Sequence, residues 1–386
     1  MEEADEIPYF NEDVAGHICS QIMAVNGFDK LKWFLNHWKL MTLRVKRNAQ
    51  PVSFVTNDVL ASKKRGSIIP ADSESKTKVP MAVFSHGILG NVFIYSYQCM
   101  NLASNGTVVL LVEHTDGSAI GAKKKDGSFV YNDMSIAKLD KDPDYFKNVD
   151  YIRARRKQIE FRAKEYIAAS KAFRELNEKN ISELEDLGVS FVGKLNTDDL
   201  SACGHSFGGA TALVACNESP SLYSCYVGHD PAVDWMPDYT RRSLFHESKF
   251  DGSKMKYDGG TGGYEQQSFH KDKVDDDTAT LHKLDLLFLF SQEWVRKGYA
   301  NITQLHHLLR CGKLGVWDGV STVDIIHESC HVEFSDSSMK VPTWMARAGD
   351  MTGSRNPHET AQEIAFRTLE FLSEVRGKQY RSRKED

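Results

Sequence analysis

The stretch that decides the fold is "LSACGHSFGGATALVAC", residues 200–216. It places Ser206 in the pattern G-x-S-x-G, after a short apolar run and before small apolar residues that suit a helix. A serine at a sharp turn between a strand and a helix is raised above the sheet, and the glycines leave room for that turn. The stretch predicts a nucleophile elbow centred on Ser206. The alternative is a glycine turn that serves packing alone.

Continuous apolar runs on both sides of this elbow predict a parallel sheet. Val79–Ser85 and Val108–Val112 enclose a helical stretch that ends at Asn105-Gly106, which makes a βαβ unit. Runs without polar alternation are typical of strands that are covered on both faces. Further strands are predicted at 200–203, 225–228, 284–290 and 320–326, with helices at 145–180 and at 358–377, the last ended by Gly377. The charges of the 145–180 helix are interpreted as a solvated face.

Strands and helices thus alternate along the chain. This pattern predicts one α/β domain over residues 1–386, with a doubly wound, mostly parallel sheet and helices on both faces. Two segments lie outside it. Residues 31–47 place apolar side chains at helical spacing, with Trp33 and Trp38 among lysines, which predicts an amphipathic helix on the core or at a membrane interface. Residues 245–283 almost lack aliphatic side chains, so a flexible insertion is expected there.

Composition narrows the partners and the compartment. A chain of 386 residues with 41% hydrophobic content can bury a large core, and a net charge of -5 gives no attraction to nucleic acid. The acidic start lacks a signal sequence, and no apolar run is long enough to span a bilayer. The seven cysteines are odd in number and form no CxxC pair, which favours a reducing compartment. We expect a cytoplasmic protein, with a peripheral membrane surface as a candidate partner.

A serine nucleophile needs a histidine base and a carboxylate that orients the imidazole. His331 follows the strand predicted at 320–326 and is the expected base, whereas His327 lies closer to the strand end. Asp230 and Glu293 each end a predicted strand, and the strand pattern leaves the choice of acid open. The four-residue spacing of the two histidines would suit zinc only on a helix, so neither a metal nor a cofactor is expected.

The developing oxyanion needs backbone amides as hydrogen-bond donors. One is expected from Phe207, the residue after the serine, and one from Ile88 in the loop "FSHGILGN". Leu89 is the alternative donor if the loop register is shifted. His86, which precedes Gly87, is expected to brace this loop rather than to titrate in catalysis.

These motifs resemble the platelet-activating factor acetylhydrolase family of calcium-independent phospholipases. The similar segments are "VFSHGILG", "LVEHTDGSA", "GHSFGGAT", "HDPAVDWM" and "SCHVEFSD". The resemblance covers roughly residues 7–377 and implies an α/β-hydrolase fold. The family carries its acid after the strand that follows the elbow helix, which implies Asp230 rather than Glu293, with Asp234 as the nearest rival.

The resemblance also implies an activity. It implies a serine hydrolase that cleaves the sn-2 acetyl, short or oxidised acyl ester of a glycerophospholipid, without calcium. Action at a lipid surface would involve Trp33, Trp38 and, in the segment 337–350, Trp344 and Met345, unless these side chains pack in the core. The alternatives are a general carboxylesterase, an sn-1 phospholipase, or a catalytically silent lipid-binding protein of the same fold.

Three features depart from the family pattern. The loop HGILG has one residue more than the family's HGLG, and residues 245–283 are inserted. Family members also begin with β-strands before the helix that residues 31–47 resemble, and no strand pattern is evident here. We therefore expect an amino terminus that is shortened or built differently.

Overall fold

The computed structural model describes residues 5–8, 42–45, 78–132, 149–185, 189–245, 281–299 and 302–385. Its strands are β1 Asp5–Pro8, β2 Thr42–Val45, β3 Val79–Ser85, β4 Val108–Val112, β5 Gly121–Lys123, β6 Phe129–Tyr131, β7 Leu195–His205, β8 Cys225–His229, β9 Asp285–Ser291 and β10 Thr322–Ile326. Six of them form a parallel sheet in the order β10-β9-β8-β7-β3-β4. The pairs β1-β2 and β5-β6 are separate antiparallel ribbons.

The α-helices of the described ranges are α1 Ser96–Ser104, α2 Val149–Glu175, α3 Ser182–Glu185, α4 Phe207–Glu218, α5 Asp238–Phe245, α6 Gln292–Arg296, α7 Ile302–Arg310, α8 Thr343–Ala348 and α9 Pro357–Glu385. Short 3-10 helices cover Phe93–Tyr95, Pro220–Leu222, Val233–Trp235, Leu281–Lys283, His331–Phe334 and Asp336–Lys340. None of the helices described is both long enough and apolar enough to cross a bilayer.

Alternate residues of each central strand enter two different apolar cores. Met81 and Val83 of β3 pack in one core with α2, α4 and α7, whereas Ala82 and Phe84 pack in the other with α1 and α9. Because successive side chains of a strand point to opposite faces, a strand with helices on both sides must be apolar throughout. The predicted doubly wound, mostly parallel sheet is confirmed. That one domain spans residues 1–386 stays a prediction.

The order of the strands places a crevice between β3 and β7. The chain passes from β3 to β4 on one side of β3, and β7 then pairs with β3 on the other side. Ser85 is in register with Gly204, so the loops that follow these two strands leave the sheet side by side. Open α/β sheets bind ligands at such a switch point. The HGILG loop and the Ser206 turn therefore meet here.

The prediction of an amphipathic helix over residues 31–47 is wrong at its carboxyl end. Thr42–Val45 forms a strand that pairs with Asp5–Pro8, so strands that the sequence pattern did not reveal are present near the amino terminus. β-branched Thr42 and Val45 suit a strand, and the pairing segment lies far earlier in the chain, where local periodicity cannot show it. Residues 31–41, with Trp33 and Trp38, lie outside the described residues. Residues 246–280 of the predicted insertion do too.

The last helix does not end at Gly377 as predicted. α9 continues to Glu385, and a Cβ built at Gly377 meets nothing within 4 Å. A single glycine in a helix costs about 1 kcal/mol relative to alanine, which a helix packed on the core tolerates. Glycine alone was therefore a weak signal of a helix end.

The close contact between α4 and β3 yields a stability prediction. A Cβ at Gly208 would lie 2.1 Å from the carbonyl oxygen of Ser85 and 2.5 Å from that of His86, both backbone atoms that cannot rotate away. We expect Gly208→Ala to lower the free energy of unfolding by about 3 kcal/mol, at the upper end of overpacking. Gly377→Ala is the matched control and should raise it by about 1 kcal/mol. Urea unfolding measures both, and equal effects would contradict the described packing.

Candidate active site

Ser206 occupies a strained turn between β7 and α4. Its φ of 56° and ψ of -120° lie where residues other than glycine are rare. The turn is fixed by its backbone, because the Ser206 amide donates to the His229 carbonyl at 2.8 Å and its own carbonyl accepts from Ala232 at 2.9 Å. A Cβ at Gly204 would lie 2.3 Å from the Gly208 carbonyl oxygen, which explains the glycine before the elbow. The predicted sharp turn between a strand and a helix is present at Ser206, and the α/β-hydrolase fold is confirmed; the role of Ser206 as nucleophile stays a prediction.

Three predicted side chains meet at this turn. The Ser206 hydroxyl lies 3.0 Å from His331 Nε2, and His331 Nδ1 lies 2.9 Å from Asp230 Oδ2. Asp230 is fully buried, while the His331 side chain is 22% exposed. Both ring nitrogens are thus engaged, Nδ1–H as a donor to the carboxylate and Nε2 as the acceptor from the hydroxyl. This is the arrangement in which an imidazole can remove a serine proton.

Asp230 is held in place by β9, the strand next to β8 in the sheet. The amide and the hydroxyl of Ser291, at the end of β9, each donate to its carboxylate at 2.6 Å. Its own amide donates to the Leu289 carbonyl at 2.8 Å, and its φ is 41°. With His331 as a third donor, the buried carboxylate is well satisfied, which a charge in the interior requires.

Glu293, the other acid candidate, faces a different part of His331. Its Oε2 accepts from the His331 backbone amide at 2.8 Å, and its Oε1 accepts from the Lys297 ammonium at 2.5 Å. Burial alone would raise the pKa of Glu293, but Lys297 and the His331 amide together lower it. Glu293 therefore holds the loop of the histidine and not its ring. Asp234 lies beyond Asp230 in the 3-10 helix Val233–Trp235, and His327 is exposed.

The loop after β3 touches the turn that carries the serine. A Cβ on Gly87 would lie 3.3 Å from Ser206 Cβ, so the two turns are in contact. The Gly87 carbonyl accepts from Gly90 N–H at 3.1 Å and from the His86 ring at 2.7 Å, and in a trans peptide the Ile88 N–H then points the opposite way. Leu89, the alternative donor, is engaged with the Ser118 carbonyl at 2.8 Å.

The amides of Phe207 and Ile88 have no hydrogen-bond partner within the described part of the chain. Backbone donors at the mouth of a site are free to bind an anionic oxygen. That these two amides are the oxyanion donors stays a prediction.

Arg162 anchors this loop from behind, and the sequence analysis missed it. Its guanidinium is fully buried and donates to the His86 carbonyl at 2.7 Å and to the Ser118 hydroxyl at 2.8 Å, beside Asp116. His86 in turn contacts Glu113 at 3.0 Å, so it braces the loop as expected. The charges of α2 are thus not all a solvated face, because Arg162 points inward to polar partners that only the fold supplies.

Tyr95 and His205 form a second brace. Gly87 N–H donates to the Tyr95 hydroxyl at 2.9 Å, and that hydroxyl lies 2.9 Å from His205 Nδ1. Burial raises the pKa of Tyr95, so it keeps its proton, which it donates to Nδ1. Burial holds the pKa of His205 well below its ordinary value, so the ring is neutral, and with Nδ1 accepting from Tyr95 its hydrogen is on Nε2.

This hydrogen placement bears on metal binding. Ligand atoms of His205, Asp230 and His331 lie within 4.8 Å of one another. Metal ligation by histidine needs a free nitrogen lone pair. His205 uses its lone pair at Nδ1 to accept a hydrogen bond from Tyr95. The ligand groups of the other two residues, His331 Nδ1 and the Asp230 carboxylate, are bonded to each other. The cluster fits a proton-transfer site better than a metal centre.

The two candidate membrane-contact residues in the segment 337–350 differ in solvent exposure. Trp344, on α8, is 71% exposed, and its neighbour Met345 is half-buried. The Trp344 side chain therefore does not pack in the core.

Removing the Tyr95 hydroxyl tests the second brace. Tyr95→Phe leaves the buried Gly87 amide and His205 Nδ1 without partners, so we expect the free energy of unfolding to fall by about 1–3 kcal/mol. Tyr239→Phe is the control, because that hydroxyl bonds Glu218 at the surface and its loss should cost no more than about 0.5 kcal/mol. Equal losses in a urea titration would show that the Tyr95 bond is not formed in solution.

Comparison with known proteins identifies a matching family. The family model for platelet-activating factor acetylhydrolase, isoform II, matches residues 32–244, more than half of the chain. The match includes Ser206 and Asp230 and ends before His331. A second model, for the prolyl oligopeptidase family, matches residues 192–325.

Curated relatives align with part of the chain. Platelet-activating factor acetylhydrolase of Canis lupus familiaris is 32% identical over 41% of this chain and 36% of its own length. A putative phospholipase A2 of Schizosaccharomyces pombe is 31% identical over 39% of this chain and 38% of its own. The alignments thus span well under half of these relatives.

Among solved structures, a ferulic acid esterase from Streptomyces cinnamoneus covers 78% of this chain and 69% of its own at a TM-score of 0.47 and 16% identity. The family assignment rests on the match of the family model to residues 32–244. The chain belongs to the isoform II family of platelet-activating factor acetylhydrolases.

Proposed function

We propose that this chain is a serine hydrolase that cleaves the sn-2 ester of glycerophospholipids carrying an acetyl, short or oxidised acyl chain. The observation that carries the proposal is the continuous chain of hydrogen bonds from Ser206 through His331 to Asp230, at 3.0 and 2.9 Å. It activates a hydroxyl that sits at the switch point of the sheet. No metal or cofactor takes part in the proposed chemistry.

The proposed reaction has two halves. Ser206 attacks the ester carbonyl while His331 accepts its proton, and His331 then donates that proton to the leaving lysophospholipid alcohol. Asp230 orients the imidazole and stabilises its charged form. The amides of Phe207 and Ile88 stabilise the oxyanion, worth about 3–4 kcal/mol for a single donor in related chemistry. Water, activated by the same histidine, releases the acyl group.

The proposed lipid substrate is supported by the relatives of this chain and by an exposed side chain on its surface. Relatives named platelet-activating factor acetylhydrolase and phospholipase A2 support a glycerophospholipid ester as substrate. The exposed ring of Trp344 supports contact with a peripheral membrane surface. The described cysteines are free thiols, which supports a cytoplasmic location.

Replacing the nucleophile tests the function directly. We expect Ser206→Ala to lower turnover by about 10⁴-fold or more and to abolish labelling by a fluorophosphonate. Turnover is measured on a panel of sn-1 and sn-2 esters of graded chain length together with a simple aryl ester. Preference for the aryl ester would favour a general carboxylesterase, and preference for sn-1 chains an sn-1 phospholipase. Unchanged hydrolysis in Ser206→Ala would reject the mechanism.

The two acids are tested side by side. Asp230→Asn removes the negative charge and, with its amide oxygen held by the Ser291 N–H, turns an NH2 donor toward His331 Nδ1, so kcat should fall by about 10⁴-fold. Glu293→Gln keeps an acceptor for the His331 backbone amide, so we expect a loss of less than about tenfold. Circular dichroism checks that both variants fold. Collapse of kcat in Glu293→Gln alone would assign the acid to Glu293.

A further inference from the structure

The imidazole of His331 lies against two other rings. The indole of Trp294 stacks on it with ring centroids 4.0 Å apart and planes 12° apart. The ring of His205 is the second neighbour, at 4.5 Å and 38°. The proposed base is therefore packed between fixed rings and not only held by hydrogen bonds.

Trp294 is itself held by the group that holds the acid. The Ser291 hydroxyl donates to Asp230 at 2.6 Å and accepts from the Trp294 backbone amide at 3.1 Å, which caps α6. Tyr299 packs on the indole at 4.7 Å, and the Trp294 side chain is almost fully buried. One serine thus positions both the carboxylate and the indole around the same imidazole.

An indole face offers more than contact area. Its π electrons attract a cation that sits over the ring within about 6 Å, and the attraction is stronger where water is excluded. A neutral imidazole gains little from this attraction. An imidazolium gains it in full, and in the proposed reaction that cation forms only as the hydroxyl proton is transferred. The interaction therefore favours the transition state over the ground state, which is the condition for catalysis.

We propose that Trp294 is a positioning residue that holds the His331 ring against Asp230 and stabilises the imidazolium formed during turnover. The inference rests on the proposed function, because it concerns the charged state of the proposed base.

Other groups also act on this imidazole. They are titratable or charged and come from four parts of the fold: Asp230 after β8, His205 at the end of β7, Glu293 and its partner Lys297 on or beside α6, and Cys330 and Glu333 next to His331 in its loop. Burial keeps His205 neutral and also raises the pKa of Cys330 to about 12, so neither changes charge near neutral pH. A change confined to position 294 leaves all of them in place.

The test is the pH profile of kcat/KM for Trp294→Leu and Trp294→Phe. Leucine keeps an apolar side chain but has no π face, so the imidazolium loses its stabilisation and the midpoint of the acid limb should move to lower pH by about one unit. We expect kcat to fall about tenfold with little change in KM. Trp294→Phe keeps an aromatic ring that attracts a cation less strongly, so its acid-limb midpoint should lie between those of the unaltered protein and of Trp294→Leu. Trp317→Leu is the control, because that side chain is 63% exposed and has no part in the proposed chemistry.

The direction of the shift separates this role from simple packing. If Trp294 only fills space, the smaller leucine admits water, which solvates the imidazolium and moves the acid limb to higher pH. That result, or an unchanged profile in an active variant, would overturn the inference. Full activity in Ser206→Ala would instead overturn the proposed function, so the two failures are distinguishable.

A measurement on the unaltered indole covers the case in which Trp294→Leu does not fold. Protonation of an imidazole stacked on indole quenches indole emission, so tryptophan emission should titrate with the same midpoint as the acid limb. The titration should vanish in His331→Asn and persist in Trp317→Leu. Emission that does not follow the acid limb would contradict the stacked geometry.

Discussion

The hydrogen bond between the Ser206 hydroxyl and His331 Nε2 is the interaction on which the proposed chemistry depends. The serine stands on a strained turn after β7, and the histidine comes from a loop 125 positions later in the chain. An error of 1 Å at either end would break the bond. The strain at Ser206 is tolerated because its backbone is bonded to His229 and Ala232, on the neighbouring strand and its loop.

Buried polar groups supply the precision that apolar packing cannot. Ser291 joins Asp230 to the helix that carries Trp294, and Glu293 on the same helix holds the backbone of His331. On the other side of the crevice, Arg162 fixes the His86 carbonyl and so the orientation of the loop that bears Ile88. Asp230 and Arg162 are fully buried and paired, where an unpaired charge would be costly. The frame is therefore rigid because its members satisfy one another.

Errors in the sequence analysis share a cause. Thr42–Val45 lies in a stretch whose apolar spacing predicts a helix, yet the backbone bonds that make it a strand come from Asp5–Pro8. The charges of α2 predict a solvated face, yet Arg162 is buried and its carbonyl partner at His86 lies 76 positions earlier in the chain. Both depend on contacts between segments far apart in the chain, which local periodicity does not contain.

The sequence by itself determined the parallel sheet, the elbow at Ser206 and the candidates His331 and Asp230, because apolar runs and glycine spacing are local properties of the chain. Strand spacing left Asp230 and Glu293 open as the acid, and the family resemblance favoured Asp230. Only the tertiary structure showed how each carboxylate, both of which follow a strand, touches His331. It showed that one carboxylate meets the ring and the other the backbone amide. Only it revealed Tyr95, Arg162 and Trp294, since their roles arise from the direction of a side chain across the crevice and not from its place in the sequence.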